Sequence, residues 1–260
     1  MEVHSHSHTP RKKWTHYFWE FFMLFLAVTL GFFVENMREH YVEHQWEKTY
    51  MDMLVNDLAA DTTELERIKN LRLKREDMLD SLILLLGEKD LKENAAIIYS
   101  LAERSDNYES FLRNDRTIQQ LKTTGGMRML QNAAVAIEIM KYDNFIVSEV
   151  DWNNRTEAGR IDIYKKERFQ LFNAQLLNKL SLQKDTVKWR SLVERNLLKD
   201  TSFTYSFPAL SAATINSIAG AVFQVKRISI TCRESGDTAS YKATQLIKLI
   251  KKEYDLEDDK

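Results

Sequence analysis

Between Trp14 and Leu86 the sequence carries no proline and a single glycine, Gly31. Proline removes a backbone donor and glycine loosens the chain, so nothing in this stretch stops a helix once it has started. Apolar side chains recur along it at Met37, Tyr41, Trp46, Tyr50, Leu54, Leu58, Leu65, Ile68 and Leu79, mostly at helical spacing. The scarcity of breakers holds for the whole chain, which has 2 prolines and 7 glycines in 260 residues. Average usage would place roughly 13 and 18. Sandwiches, barrels and tightly looped α/β enzymes need those residues for turns and bulges, so the sequence predicts an all-α protein.

The same stretch begins with an apolar run. From Phe21 to Val34 the chain reads FFMLFLAVTLGFFV without a charge, a length of about 21 Å as a helix. Extended over Trp14 to Met37 it reaches roughly 36 Å, enough for a hydrocarbon core of about 30 Å. The extension adds Trp14, Tyr17 and Trp19, whose amphipathic rings suit the headgroup level, and leaves Glu20 near the end of the span. The side chains expected to meet lipid include Trp14, Tyr17, Trp19, Phe21, Leu24, Leu26, Leu30 and Phe33. Arg11, Lys12 and Lys13 resemble the n-region of a signal peptide, but Gly31-Phe32-Phe33-Val34 puts bulky rings where a peptidase needs small residues. An uncleaved anchor is therefore expected, with its basic N-terminal flank in the cytoplasm and the rest of the chain periplasmic.

The remaining breakers suggest the organisation. Residues 1–13 read as a disordered cytoplasmic tail, 14–37 as a transmembrane helix, 38–87 as a helical stalk ending at Gly87, 88–254 as an antiparallel helical bundle and 255–260 as an acidic tail. A kink is expected near Asp61-Thr62-Thr63, whose side chains compete for backbone hydrogen bonds. Within the bundle the pattern predicts a short helix capped by Asn94 and running to Arg104, and another from Asp115 to Leu121. A long helical stretch should run from Met127 to about Leu182 with a break near Asn132, and another from Pro208 to Arg233. Glu234-Ser235-Gly236-Asp237 reads as a turn before a last helix from Thr238 to Tyr254. The stalk's apolar stripe approaches a coiled-coil seam, interrupted by Asp61, and leads to the expectation of a homodimer formed through it.

Chemistry-bearing motifs are few. With 37 basic and 38 acidic residues there is no bulk attraction to nucleic acid. The single cysteine, Cys232, excludes an internal disulfide or a cysteine-based cluster. His40-Tyr41-Val42-Glu43-His44 matches the H-x-x-E-H pattern in which two histidines one turn apart ligate zinc. It lies directly after the span, without an evident third ligand, so His40, Glu43 and His44 are more simply read as a solvated face. His4, His6 and His8 alternate with serines in the tail. Thr123-Thr124-Gly125-Gly126 precedes a helix, as an anion-binding loop would, but lacks the Gly-Lys-Ser/Thr of a P-loop and reads as a capped turn. Asn154-Arg155-Thr156 is a sequon in form only. Trp152 and Trp189 are expected in the core. No cofactor and no catalytic residue is expected, and the chain is not read as an enzyme.

The order of HYFWEFFMLFLAVTLGFFVEN, MREHYVEHQWEK, MLVNDLAADTTEL and LKTTGGMRMLQN resembles a family of single-span membrane proteins of Bacteroidota carried as a domain of unknown function. The resemblance covers about Trp14 to Phe145. It implies an N-terminal inner-membrane anchor and a mostly helical extracytoplasmic region, with no established activity, cofactor or catalytic residue. Two functions are consistent with these features. One is a membrane-anchored interaction or scaffold protein of the bacterial envelope, bound to the lipid bilayer and to an envelope protein. The other is an extracytoplasmic ligand-sensing domain that signals through a partner.

Overall fold

The computed structural model describes residues 14–176, 178 and 205–256. The protein is all-α, with no strand among the described residues. Helix α1 (Trp14–Leu86) is followed by α2 (Ala95–Arg104), α3 (Arg116–Thr123), α4 (Gly126–Met129), α5 (Ala133–Phe145), a π turn (Ile146–Val150), α6 (Asp151–Arg168) and α7 (Ala212–Tyr254). Contacts divide the chain between Met51 and Asp52 into two units. The compact unit thus begins at residue 52, not at 88, and takes in most of the expected stalk. The helical run expected to reach about Leu182 is interrupted earlier: α6 ends at Arg168, a 3-10 turn follows over Phe169–Leu171, and Phe172 is extended at φ -92°, ψ 135°. The N-terminal tail with His4, His6 and His8, the position Leu182, Trp189 and most of the acidic tail lie outside the described residues.

In the second unit the buried positions of α1 include a stripe of Leu54, Leu58, Asp61, Leu65, Ile68, Arg72, Arg75, Leu79, Leu82 and Leu86 in alternating steps of three and four, flanked by the buried Val55, Asp57 and Glu76. That period of 3.5 keeps one seam facing a partner helix. The partners belong to the same chain. Lys69 meets Asp237, Glu76 meets Ser229 and Arg233, and Asp80 meets Lys226, so α7 runs antiparallel to α1. Asn132 meets Glu253, Phe145 meets Lys242 and Glu167 meets Ser217, so α7 is antiparallel to the α5–α6 run as well. The three long elements enclose a core in which Leu79, Leu82 and Leu86 pack with Ile161, Tyr164, Ile218, Val222 and Val225. The stripe of Leu54, Leu58, Leu65 and Ile68, expected to lie partly exposed for a second copy, is buried within one chain.

Several boundaries differ from the sequence reading, each for a local reason. Glu234-Ser235-Gly236-Asp237 is not a turn; α7 is continuous through it for 43 residues. Gly236 sits where α7 comes close to α1, so that a Cβ added to it would lie 3.5 Å from the Leu65 Cδ2 methyl, while Asp237 accepts the Lys69 ammonium at 2.9 Å. The small and polar residues that resemble a turn are there for close packing and ion pairing. Pro208 does not open the helix, which starts at Ala212 with the Ser211 hydroxyl accepting from the Thr214 N–H at 3.0 Å. Helix α1 is unbroken at 61–63, where the Thr62 and Thr63 hydroxyls donate to the Ala59 carbonyl. Asn94 precedes α2 and its carbonyl accepts from the Ile98 N–H at 2.9 Å, but its side chain makes no cap hydrogen bond, the amide donating instead to Glu88 at 2.7 Å.

Short elements are held by tertiary caps. Asp57 accepts from the Thr117 hydroxyl at 2.6 Å and its N–H at 3.3 Å, and Asp61 accepts from the Asn114 N–H at 2.8 Å. Two carboxylates one turn apart on α1 thereby fix the start of α3. Arg168 donates to the Ala102 and Glu103 carbonyls at the end of α2, and Tyr164 donates to Ala102 at 2.9 Å. Helix α3 ends in a turn with Gly125 at φ 74°, a left-handed conformation that favours glycine.

Candidate functional site

In the first unit the apolar run of α1 is open on every side. Trp14 is 84% exposed and Leu24 69%, and Tyr17, Trp19, Phe21, Leu30 and Phe33 are also more than half exposed; Leu26 is half-buried. Phe18 stacks on Phe22 and Phe21 on Phe25, each one turn along the same helix. A core helix of a soluble protein would be covered. Here the window apolar enough to cross a membrane is uncovered, and among the described residues one helix, near the N-terminus, is long and apolar enough for a span. His16 approaches Glu20 at 2.9 Å, giving the carboxylate a partner at the end of the run.

His40, Glu43 and His44 lie on the exposed surface of α1, with His40 3.8 Å from Glu43. Among the described residues no group of three or more His, Cys, Asp and Glu side chains is placed to hold a metal ion. The Thr124 hydroxyl and N–H both bond to the Gln120 carbonyl, and the helix after Gly125 has only four residues, so this segment is a helix-ending turn. Asn154 donates its amide to the Phe111 carbonyl at 3.2 Å. Trp152, expected in the core, is 62% exposed with Arg155 over its ring.

Sequence reasoning missed the polar layers inside the second unit. Glu157 on α6 is fully buried; one of its oxygens accepts from Arg72 at 2.7 Å and from Arg75, both on α1. Burial opposes ionisation of Glu157, but the two guanidiniums outweigh it and hold the carboxyl below its ordinary range. Its other oxygen and two nitrogens of Arg75 make no hydrogen bond. Cys232 lies beside this layer, and burial, reinforced by Glu157, pushes its thiol up to about 12. One turn along, Arg233 and Ser229 of α7 donate to Glu76 at 3.1–3.3 Å. At the other end Asp143 is held below the ordinary carboxylate range by Lys122 and Arg113, against the effect of burial. The only sequence signal for these layers was the polar residues falling on the heptad stripe of α1. Each of these charged residues takes part in an ion pair or a cap, although single atoms of Glu157 and Arg75 stay without a hydrogen bond, an arrangement suited to fixing register.

Between α5 and α7 lies an open groove of about 340 Å³, with Glu138, Lys141 and Tyr142 on one side and Tyr241, Lys242 and Leu246 on the other. No family model, curated protein or solved structure matches the chain.

Proposed function

We propose that the protein is a membrane-anchored helical interaction or scaffold protein of the bacterial envelope, single-pass in the inner membrane, with residues 1–13 cytoplasmic and the helical unit periplasmic. One observation supports this above all. A single uninterrupted helix carries both a fully exposed apolar run and, from Leu54 onward, the central seam of a folded unit. Exposed apolar surface of that extent is unfavourable in water and favourable in a bilayer, so the helix serves as a tether for the unit that follows. The orientation rests on Arg11, Lys12 and Lys13 before the run, against Arg38 and Lys48 set among acidic residues after it. On this reading the unit presents a surface to an envelope partner.

A reporter active only outside the cytoplasm, fused after Lys260, is expected to be active, and the mature protein should begin at Met1 or Glu2. An inactive reporter would overturn the orientation; an N-terminus beyond Val34 would overturn the anchor. Pull-down of the intact membrane form should return a defined envelope protein. The α5–α7 groove favours the second reading, a ligand-sensing domain acting through a partner, to the extent that it binds a small molecule.

A further inference from the structure

We propose that the α5–α7 groove is a binding site for a small amphiphilic carboxylate, with Lys242 taking the carboxylate and the apolar floor taking its body. The inference does not depend on the scaffold reading or on the orientation in the membrane.

Charge within the groove is unbalanced. Lys141 is neutralised by Glu138 at 2.7 Å, one turn before it on α5. Lys242 on α7 has no such partner: its ammonium lies 5.2 Å from the centre of the Phe145 ring, and among the described residues no carboxylate lies within ion-pair reach. Its side chain is exposed. The groove therefore carries one net positive charge held beside an aromatic face, a position in which a second, anionic partner completes the neutralisation. The floor is apolar, formed by Leu246 and the ring of Tyr142, both buried, while the exposed Tyr241 ring stands at the rim. An ammonium on a flexible stem suits a single carboxylate, whereas a phosphate would be better met by the forked guanidinium of arginine, of which the groove has none among its lining residues. The volume falls at the small end of ligand sites, which suits a compact body bearing one charge.

The groove lies directly before the π turn at Ile146–Val150, where the buried face of the chain steps by four residues twice, from Tyr142 to Ile146 to Val150. Buried positions continue on both sides of the turn, at Ile139 and Tyr142 before it and at Glu157 and Ile161 after it, while Glu138 and Lys141 of α5 line the groove.

The test uses the full chain in nanodiscs of phosphatidylcholine, titrated calorimetrically with 4-phenylbutyrate against empty nanodiscs. Saturable binding of one molecule per chain is expected, weakened about tenfold or more by Lys242→Gln and largely retained by Lys242→Arg. The neutral 4-phenylbutyramide should not compete, and Lys166→Gln, outside the groove, should bind as the parent does. Because Lys242 is exposed, the Gln variant should keep the parent's thermal midpoint. Heat indistinguishable from empty nanodiscs would overturn the proposal. So would equal affinity in Lys242→Gln, or equal affinity for the amide.

Discussion

Two stretches of α1 can be set side by side. From Phe21 to Val34 apolar side chains cover the whole circumference and stay exposed. From Leu54 to Leu86 apolar side chains are just as frequent on one stripe, but they alternate with charged residues and the stripe is buried. Both stretches are helical, so helix propensity does not separate them. The circumferential pattern does: a helix apolar all round has no face to turn toward water, whereas a striped one pairs its dry side with other helices. The few polar residues on the buried stripe are each answered by a charge or a backbone donor from another element. In the first stretch no such answer is required, since Glu20 at its margin is the nearest charge on the N-terminal side.

The largest expected effect comes from putting the same change in both stretches. Leu54 is fully buried, and Leu54→Asp removes a packed side chain and buries an unpaired carboxylate, which should cost more than about 4 kcal/mol. The second unit should unfold, and Cys232, shielded and poorly ionised in the fold, should become labelled by a thiol reagent near neutral pH. Leu24→Asp should leave Cys232 protected and instead reduce recovery in the membrane fraction. If Leu54→Asp yields a folded protein whose mass alone falls with dilution, the seam joins two chains and the intramolecular reading fails.

Next in size is the buried ionic layer. Glu157→Ala leaves Arg72 and Arg75 without their shared carboxylate and should destabilise the unit by about 3–5 kcal/mol. Replacing all three together, as Arg72→Met, Arg75→Met and Glu157→Leu, should recover most of that loss in thermal melts. Failure of the triple variant to recover would mean that the layer contributes net stability beyond fixing register.

How much of this was legible in the sequence follows from the same contrast. The apolar run, the absence of breakers to Leu86 and the short helices after Asn94 and Asp115 are signals within one segment, and sequence periodicity reads such signals directly. The burial of Leu54 to Ile68 depends on what α5, α6 and α7 bring to it, which no window along α1 reveals. Asp61 interrupts the stripe in sequence, yet in the fold it completes the Asn114 N–H. Arg72 and Arg75 look like surface residues until Glu157, more than eighty positions away, is placed beside them. The π turn at Ile146–Val150 carries no composition signal, and the groove at Lys242 needs α5 and α7 brought together.

A smaller effect is expected at Asp61. Burial pushes its carboxyl up to about 6, opposed by the Asn114 N–H; Asp57 adds to the rise, while Arg113 and Tyr142 counter it. The folded state therefore holds this proton more tightly than the unfolded chain, and the stability linked to Asp61 declines as pH rises from about 4 to about 6, then stays level. Asp61→Asn keeps an acceptor for Asn114 and removes the buried charge. It should raise stability by about 1 kcal/mol at pH 7.5, a gain that vanishes by about pH 4. A gain independent of pH would assign the effect to packing.

The smallest effect tests whether α7 is continuous where the sequence reads as a turn. In a turn, Gly236 would be held by backbone freedom, and a side chain there would be costly. In the helix its φ is not left-handed, and an added methyl would lie at ordinary contact distance, 3.5 Å, from Leu65 on the buried seam of α1. Gly236→Ala then removes flexibility from the unfolded chain and adds a contact, and should stabilise the unit by about 0.5–1 kcal/mol. Gly236→Leu should reverse the sign, because the larger side chain must displace Leu65. The opposite signs of the two variants, read as shifts in thermal midpoint, identify a close helix crossing; a loss of stability already at alanine would place a turn at Gly236 and separate the last helix from the seam that Leu65 occupies.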